Sequence, residues 1–519
     1  MGKSSLSLKN SFNFAISFIL ILGISFRCLN LDRKVYWHDE VFTSIRVVGY
    51  TGAEIEPRVF NGEPITAAEL QQFQQLTPEK NFGDTLHALA KHAEHPPLYY
   101  LLARGWVQAF GSSTVAFRSL SVVFSLLAFP CLYWLCQALF GAPGVPVVSL
   151  LLLAVSPFHV LYAQEAREYS LWTVTILLSS VTLLRATERG GWRHWGAYGL
   201  SLALGMYTSL LTVLAAIAHG LFVLITTRRR QWLAYGLTLL ATLGLFSPWI
   251  TVMLIQFSNL KHVTDWTTHT RSLEFLIKIW GLHISSVFID PGFELNHPFT
   301  YMAPTVVLIM AVIGAYRLSQ TQSSRVVCFV LTLTLIPALG LILPDLLMGG
   351  QRSVSTRYFL PTLIGIQLIA AYGLVSLLTS DDLAQRRWGK GGLVSVLIAG
   401  ILSCSLSAQA HTWWNKGISY HNFNIAQVIN RASNPVVVGF RSANSLGNAI
   451  SLSYLLKPAT PFQMTQLPNI PDISDSFSDV FLIQVSGDLI QGLEQTYGGR
   501  VEGVKDPNAY GLWKLTSVD

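Results

Sequence analysis

Stretches of about 20 apolar residues, each long enough to cross the hydrocarbon core of a bilayer, recur along this chain. No other feature narrows its fold so far. Eleven are read, over 11–31, 115–138, 143–161, 169–187, 195–208, 209–227, 231–254, 301–317, 325–345, 357–379 and 391–408. Lipid offers the backbone no hydrogen-bond partners, so such runs fold as helices. Composition agrees: 51% of the 519 residues are hydrophobic and 12% are charged, and that charge fraction is about half of what a soluble domain carries. The expected fold class is mainly α. A polytopic transmembrane helical domain spans 1–408, with interfacial helices in its outer loops. A small C-terminal α/β domain follows over 409–519.

Charge gives the orientation. With the N-terminus inside, the short segments 1–10, 139–142, 188–194, 228–230, 318–324 and 380–390, with the span ends beside them, face the cytoplasm. They hold thirteen basic side chains, among them Arg228, Arg229, Arg230, Arg386 and Arg387, against Glu188, Asp381 and Asp382. The whole chain carries +7, so a net +10 on this side leaves −3 for the remainder. The positive-inside rule counts Lys and Arg in short loops. The basic balance is therefore a topology signal and nucleic acid is not an expected partner. The expected location is the cell (inner) membrane, multi-pass, with the N-terminus cytoplasmic and the C-terminal domain extracytoplasmic. Lys3 and Lys9 precede the first apolar run as in a signal peptide, but the run is long for one and no A-x-A-like site follows. It reads as an uncleaved span. The five cysteines lie in or beside apolar runs without metal-ligand spacing.

The long segments fall on the opposite face. In the first outer loop, about 32–113, Thr66 and Glu69 form a capping-box pattern ahead of Leu70 and Phe73. His95-Pro96-Pro97 then opens an apolar run through Trp106 that is too short to span and reads as an interfacial helix. A second such helix is expected near 273–282, where Leu273, Leu276, Ile279 and Leu282 recur at helical spacing and Glu274 pairs with Lys278. In the last 110 residues, the β-rich runs Pro435–Phe440 and Val480–Val485 flank a helical pattern from Asn444 to Leu456.

Four polar clusters share the outer face: Trp37-His38-Asp39-Glu40, His95-Pro96-Pro97, Gln164-Glu165-Ala166-Arg167-Glu168-Tyr169, and the segment from Arg352 to Arg357-Tyr358. Ionisable groups at membrane depth are costly and tend to mark function. A carboxylate beside a bound hydroxyl suits general-base work. Arginine forks suit a phosphate, and they stabilise charge growing on one that departs. A phosphate held among apolar helices is a lipid phosphate. The chain has no G-x-x-x-x-G-K-[ST] or G-x-G-x-x-G loop and no D-x-D pair, so nucleotide use has no support.

These four motifs, in this order and with Arg357-Tyr358-Phe359-Leu360-Pro361 closing the last, resemble the protein-mannosyltransferase-like branch of the C-type integral membrane glycosyltransferases. Lipid A aminoarabinose transferases and rhizobial lipopolysaccharide galacturonosyltransferases belong to the wider group. The resemblance covers roughly residues 30–365. It implies an inverting glycosyltransferase that moves a sugar from a polyprenyl-phosphate donor to an acceptor hydroxyl on the extracytoplasmic face. The acceptor is a glycan, lipid or protein. By match, Asp39 stands where the family has its catalytic base and Glu40 is its companion. His38, His95, Glu165, Arg167, Tyr169, Arg357 and Tyr358 are the implied substrate-binding residues. No cofactor is required by this reading, and a divalent metal is left open. One departure is that Ser209-Leu210-Leu211 follows Tyr207-Thr208, where relatives often have a histidine or tyrosine. Two other readings compete. One is a transferase of the same fold that moves a lipid-linked oligosaccharide. The other is a transporter or flippase, which would place its ionisable groups near the midplane, often with repeats.

Overall fold

The computed structural model describes residues 2–141, 144–292, 295–506 and 508–517. Ala142 and Pro143, at the turn expected between the second and third spans, lie outside them. The chain forms two compact units. The first comprises 1–29, 90–99 and 118–408, and the second 30–89, 100–117 and 409–519.

The first unit is helical. Each of the eleven apolar stretches contains helix. Among the described residues seven helices are long and apolar enough to span a membrane, and an eighth counts if one bent pair is a single span; Asn13–Cys28 and Thr212–Thr226 are shorter apolar helices. This is a multi-pass membrane protein. Tyr169–Arg189 and Leu360–Leu378 are buried along nearly their whole length and form the middle of the unit. Arg229–Ile255 and Met302–Thr321 instead expose large apolar side chains, including Leu233, Leu237, Leu240, Ile309 and Val312. Apolar surface of that extent is covered by lipid.

The third expected span is not one continuous helix. It runs as Gly144–Ala154, breaks, and resumes as Pro157–Ala163 at 57° to the first half. Ser156 caps the second half, its Oγ accepting from His159 N and donating to the Val287 carbonyl at 2.7 Å. Proline at the first helical position completes the start. The carbonyls freed at the break meet Arg27. Its Nη1 donates to Ala154 O at 2.7 Å and to Gly23 O at 2.8 Å, its Nη2 to Leu153 O at 2.8 Å, and its Nε to Ser125 Oγ at 2.8 Å.

The second unit is built on a six-stranded sheet. Its strands are β1 (Pro64–Thr66), β2 (Pro435–Phe440), β3 (Pro461–Thr465), β4 (Asp479–Ile483), β5 (Gly499–Gly503) and β6 (Leu512–Ser517), in the order β1-β3-β2-β4-β6-β5. β2 pairs in parallel with β3 and β4, and the remaining pairs are antiparallel. The central position of β2 explains its unbroken Val436-Val437-Val438, since a strand covered on both faces has no polar side to present. Val436, Val438 and Leu482 pack with Leu489 and Leu493 of helix Gly487–Tyr497. The sheet that composition located in the C-terminal residues also takes a strand from the segment 32–113, because β1 pairs with β3 through Ile65 and Phe462. Downstream of β1, Thr66 and Glu69 form the expected capping box.

Candidate active site

In the second unit the cluster Trp37-His38-Asp39-Glu40 begins a helix, His38–Val48. Two carboxylates in its first turn suit the positive end of the helix dipole. The helix ends where Gly49 takes a left-handed conformation. Asp39 and His38 are half-buried and Glu40 is fully buried. Glu40 Oε2 stands 3.3 Å from Lys416 Nζ, and neither side chain is exposed. The His38 ring meets Phe42 edge to face at 4.9 Å. Against this pair runs helix Ser445–Ser453, at a position where only glycine fits: a Cβ on Gly447 would lie 2.6 Å from His38 Nδ1 and 2.8 Å from Phe42 Cε2.

In the first unit the turn Gln164–Glu168 joins the bent third span to helix Tyr169–Arg189. Gln164 Nε2 ties it to the first helix, donating to Phe26 O at 2.7 Å and Leu29 O at 2.8 Å. Arg167 N reaches back to Glu165 O at 2.7 Å, which tightens the turn. The Arg167 carbonyl accepts from Ser121 Oγ at 3.2 Å, and that hydroxyl lies 3.0 Å from Tyr99 OH. The His95-Pro96-Pro97 run is thereby linked, through Tyr99, to the arginine turn.

Two guanidinium groups gather on one ring. Arg167 lies 5.7 Å from the Tyr169 centroid and Arg357 lies 5.6 Å from it; Arg357 is also 5.8 Å from the Tyr358 ring. Arg167 is 3% exposed and pairs with Glu168, with Nε to Oε2 at 3.3 Å and Nη2 to Oε1 at 3.3 Å. Two arginines on one ring are like charges that repel each other, more so where little water screens them. Glu168 is the carboxylate beside Arg167. An anion with several oxygens, such as a phosphate, is the ligand that such a pair favours. His95 lies in a separate group of this unit, where Glu94 Oε1 stands 3.6 Å from His95 Nε2 and 3.4 Å from His92 Nδ1.

The sequence reading missed several residues that position these groups. Arg357 follows a loop held by Asp345, whose carboxylate is fully buried at the end of helix Ser324–Met348. Its Oδ1 accepts from Arg352 N and Arg352 Nη1, both at 3.1 Å. Its Oδ2 accepts from Ser353 N and Ser353 Oγ, both at 2.7 Å. Trp280 of the expected interfacial helix, found at Leu273–Ser285, donates to Ser353 Oγ at 2.9 Å. His283 of that helix packs 5.2 Å from the Phe359 ring, and burial pushes its imidazole down to about 3. An acidic residue ending an apolar run was the available signal for Asp345. Lys416 lies within a tryptophan-flanked segment after the last span, and nothing local marks it. Among the described residues no group of three or more His, Cys, Asp or Glu is arranged to hold a metal ion.

Comparison with known proteins bears on the fold. Residues 94–252 match the sequence model of the dolichyl-phosphate-mannose-protein mannosyltransferase family. No protein of curated function matches the chain in sequence. Among solved structures, ArnT from Cupriavidus metallidurans bound to undecaprenyl phosphate matches with a TM-score of 0.56 at 12% identity, over 99% of this chain and 98% of that one. The archaeal oligosaccharyltransferase AglB from Archaeoglobus fulgidus, in complex with an inhibitory peptide and a dolichol-phosphate, matches with a TM-score of 0.53 at 12% identity, over 98% of this chain and 74% of that one. The chain has the fold shared by ArnT and AglB, and its residues 94–252 resemble the dolichyl-phosphate-mannose-protein mannosyltransferases.

Proposed function

We propose that the protein is an inverting membrane glycosyltransferase that moves a sugar from a polyprenyl-phosphate donor to an acceptor hydroxyl at the extracytoplasmic face. The observation that carries this reading is the convergence of Arg167 and Arg357 on Tyr169, in a fold whose solved examples hold undecaprenyl phosphate or a dolichol-phosphate. The acceptor oxygen attacks the anomeric carbon and the bond from that carbon to the phosphate oxygen breaks. Its electron pair stays on the phosphate, where Arg167 and Arg357 stabilise it. The hydroxyl proton passes to Asp39. Tyr169 and Tyr358 support the arginines from their ring faces, and Glu165 and Glu168 belong to the same turn. His38 and His95 orient acceptor or donor. No step here depends on a divalent metal. In this arrangement the N-terminus is cytoplasmic and the domain after 408 is extracytoplasmic.

AglB supports a second reading, in which the transferred group is a lipid-linked oligosaccharide. One assay serves both. Purified protein is given synthetic polyprenyl-phosphate monosaccharide or lipid-linked oligosaccharide, and transfer is followed by mass. Asp39→Asn keeps the size of the side chain and removes proton acceptance. Transfer should fall by at least about 10²-fold, while polyprenyl-phosphate binding stays. Transfer by Asp39→Asn at the parent rate sinks the mechanism.

A further inference from the structure

The helix that carries Asp39 starts without a side-chain cap of its own. Trp37 occupies the N-cap position and makes no capping hydrogen bond. The first amides of a helix need acceptors from somewhere. Here an acceptor comes from a segment far along the chain. Ser419 Oγ accepts from His38 N at 3.1 Å, and the same hydroxyl donates to Asn448 Oδ1 at 3.1 Å. Asn422 Nδ2 fixes that amide in turn, at 2.9 Å. Before the helix, Val35 N donates to His411 O at 2.8 Å. Residues 411–419 thus enclose the start of helix His38–Val48, all within the second unit.

At the centre of this enclosure is the pair Glu40–Lys416, at 3.3 Å with both side chains fully buried. Lys416 is aimed by a turn that only glycine readily makes, since Gly417 sits at φ 44 and ψ −112. Its Nζ also stands 5.7 Å from the centre of the Trp37 ring. The Glu40 charge is thus engaged by Lys416.

We propose that Lys416 is a positioning residue: by holding Glu40 inside the second unit, it fixes the first turn of the helix and with it the direction in which the neighbouring Asp39 is presented. This rests on the reading of Asp39 as the base. A displacement of about 1 Å at a reacting group costs about 10²-fold in rate, so a clamp one residue away has leverage on turnover. Removing Lys416 alone leaves a buried negative charge beside Asp39. Removing both members leaves none, and a buried pair replaced as a pair is far better tolerated than a broken one.

The test uses the full-length purified protein, with Lys416→Met, Glu40→Gln, the double variant and Asp39→Asn. Transfer kinetics, polyprenyl-phosphate binding and thermal unfolding are measured for each. Lys416→Met should lower kcat at least about tenfold, with KM for the synthetic donor and polyprenyl-phosphate binding unchanged. Adding Glu40→Gln should restore Tm and only part of kcat, since the buried charge is gone while the tie that aims Asp39 stays absent. A purely structural role would lower activity only in step with Tm and would not separate kcat from KM. If Lys416→Met does not fold, Lys416→Arg keeps the charge and shifts its geometry, and kcat should fall at unchanged KM and Tm. Parent turnover in the Lys416 variants beside an inactive Asp39→Asn overturns this inference alone. So does a double variant no better than a folded Lys416→Met. An active Asp39→Asn overturns the reading of Asp39 as the base, and this inference with it.

Discussion

Asp345→Asn is the sharpest test of how Arg357 is held. The substitution keeps shape and volume but exchanges one acceptor oxygen for an NH2 donor. Both carboxylate oxygens face donors: Oδ1 meets Arg352 N and Nη1, and Oδ2 meets Ser353 N and Oγ. With its NH2 toward Ser353, the amide loses the bond from Ser353 N while the Ser353 hydroxyl turns to accept, and the bonds that remain lose their charge assistance. A hydrogen bond to a charged group contributes about 1.5–3 kcal/mol. The contact to Arg352, which is 29% exposed, sits at the low end because water replaces part of it. The loop before Arg357 should lose about 2–4 kcal/mol. Only about 1.4 kcal/mol of this needs to reach the proposed phosphate site to weaken binding tenfold. The assay is equilibrium binding of a polyprenyl phosphate to purified protein, with thermal unfolding alongside. Binding should weaken at least about tenfold and Tm should fall. Parent values of both would mean that other ties hold the loop: Gln351 Nε2 to Trp266 O at 2.7 Å, Arg271 Nε to Gln351 Oε1 at 2.7 Å, and Gln351 N to Thr267 O at 2.8 Å.

Two further predictions concern the same unit. Arg167→Lys and Arg357→Lys should each cost about 2–4 kcal/mol of transition-state stabilisation, because a point charge cannot reproduce a bidentate fork; near-normal kcat/KM in both would make these arginines structural anchors. His283 is held neutral by burial, at about 3, whereas an unfolded histidine takes up a proton near pH 6.5. The depressed value gives stability that is complete above about 6.5 and is lost as pH falls toward 3. That amounts to about 2 kcal/mol by pH 5. His283→Gln carries no such proton, so its Tm should fall less than the parent's between pH 7 and 5, and parallel slopes would refute the assignment.

What could be read before folding follows the range of each interaction. The apolar stretches were legible because lipid forces every backbone hydrogen bond to close within its own segment. The capping box at Thr66 and Glu69, and the Glu274–Lys278 pair at 2.6 Å, were legible because their partners are three or four residues apart. β1 was not, since three residues become a strand only when Pro461–Thr465 pairs with them across almost 400 residues of chain. The candidate site divides the same way. The arginines were legible as charges where none is expected. Lys416 and Asp345 were not singled out, because their work is done on residues brought to them by the fold. The break in the third span had a local signal, Ser156-Pro157, which is a cap followed by a first-turn proline. The apolar character on either side concealed it.

That break also explains Arg27, a full charge inside the first apolar run. Ending a helix inside a membrane unit exposes carbonyls that lipid cannot satisfy, each at about 1–3 kcal/mol. A full charge buried alone would cost more than the carbonyls it relieves. Each cost is met by the other. Arg27 gives four hydrogen bonds, two of them to Leu153 O and Ala154 O at the broken end. The negative end of the Gly144–Ala154 helix dipole favours a cation at that place. Freed from running straight, the chain turns by 57° into Pro157–Ala163. It arrives at Gln164–Glu168 as a turn rather than as the interior of a spanning helix. Gln164 then fixes that turn to Phe26 O and Leu29 O, on either side of Arg27 along the same segment. The end of the first helix therefore holds both the break and the turn that follows it. A loss at Arg27 would be felt at Arg167, although no bond joins the two.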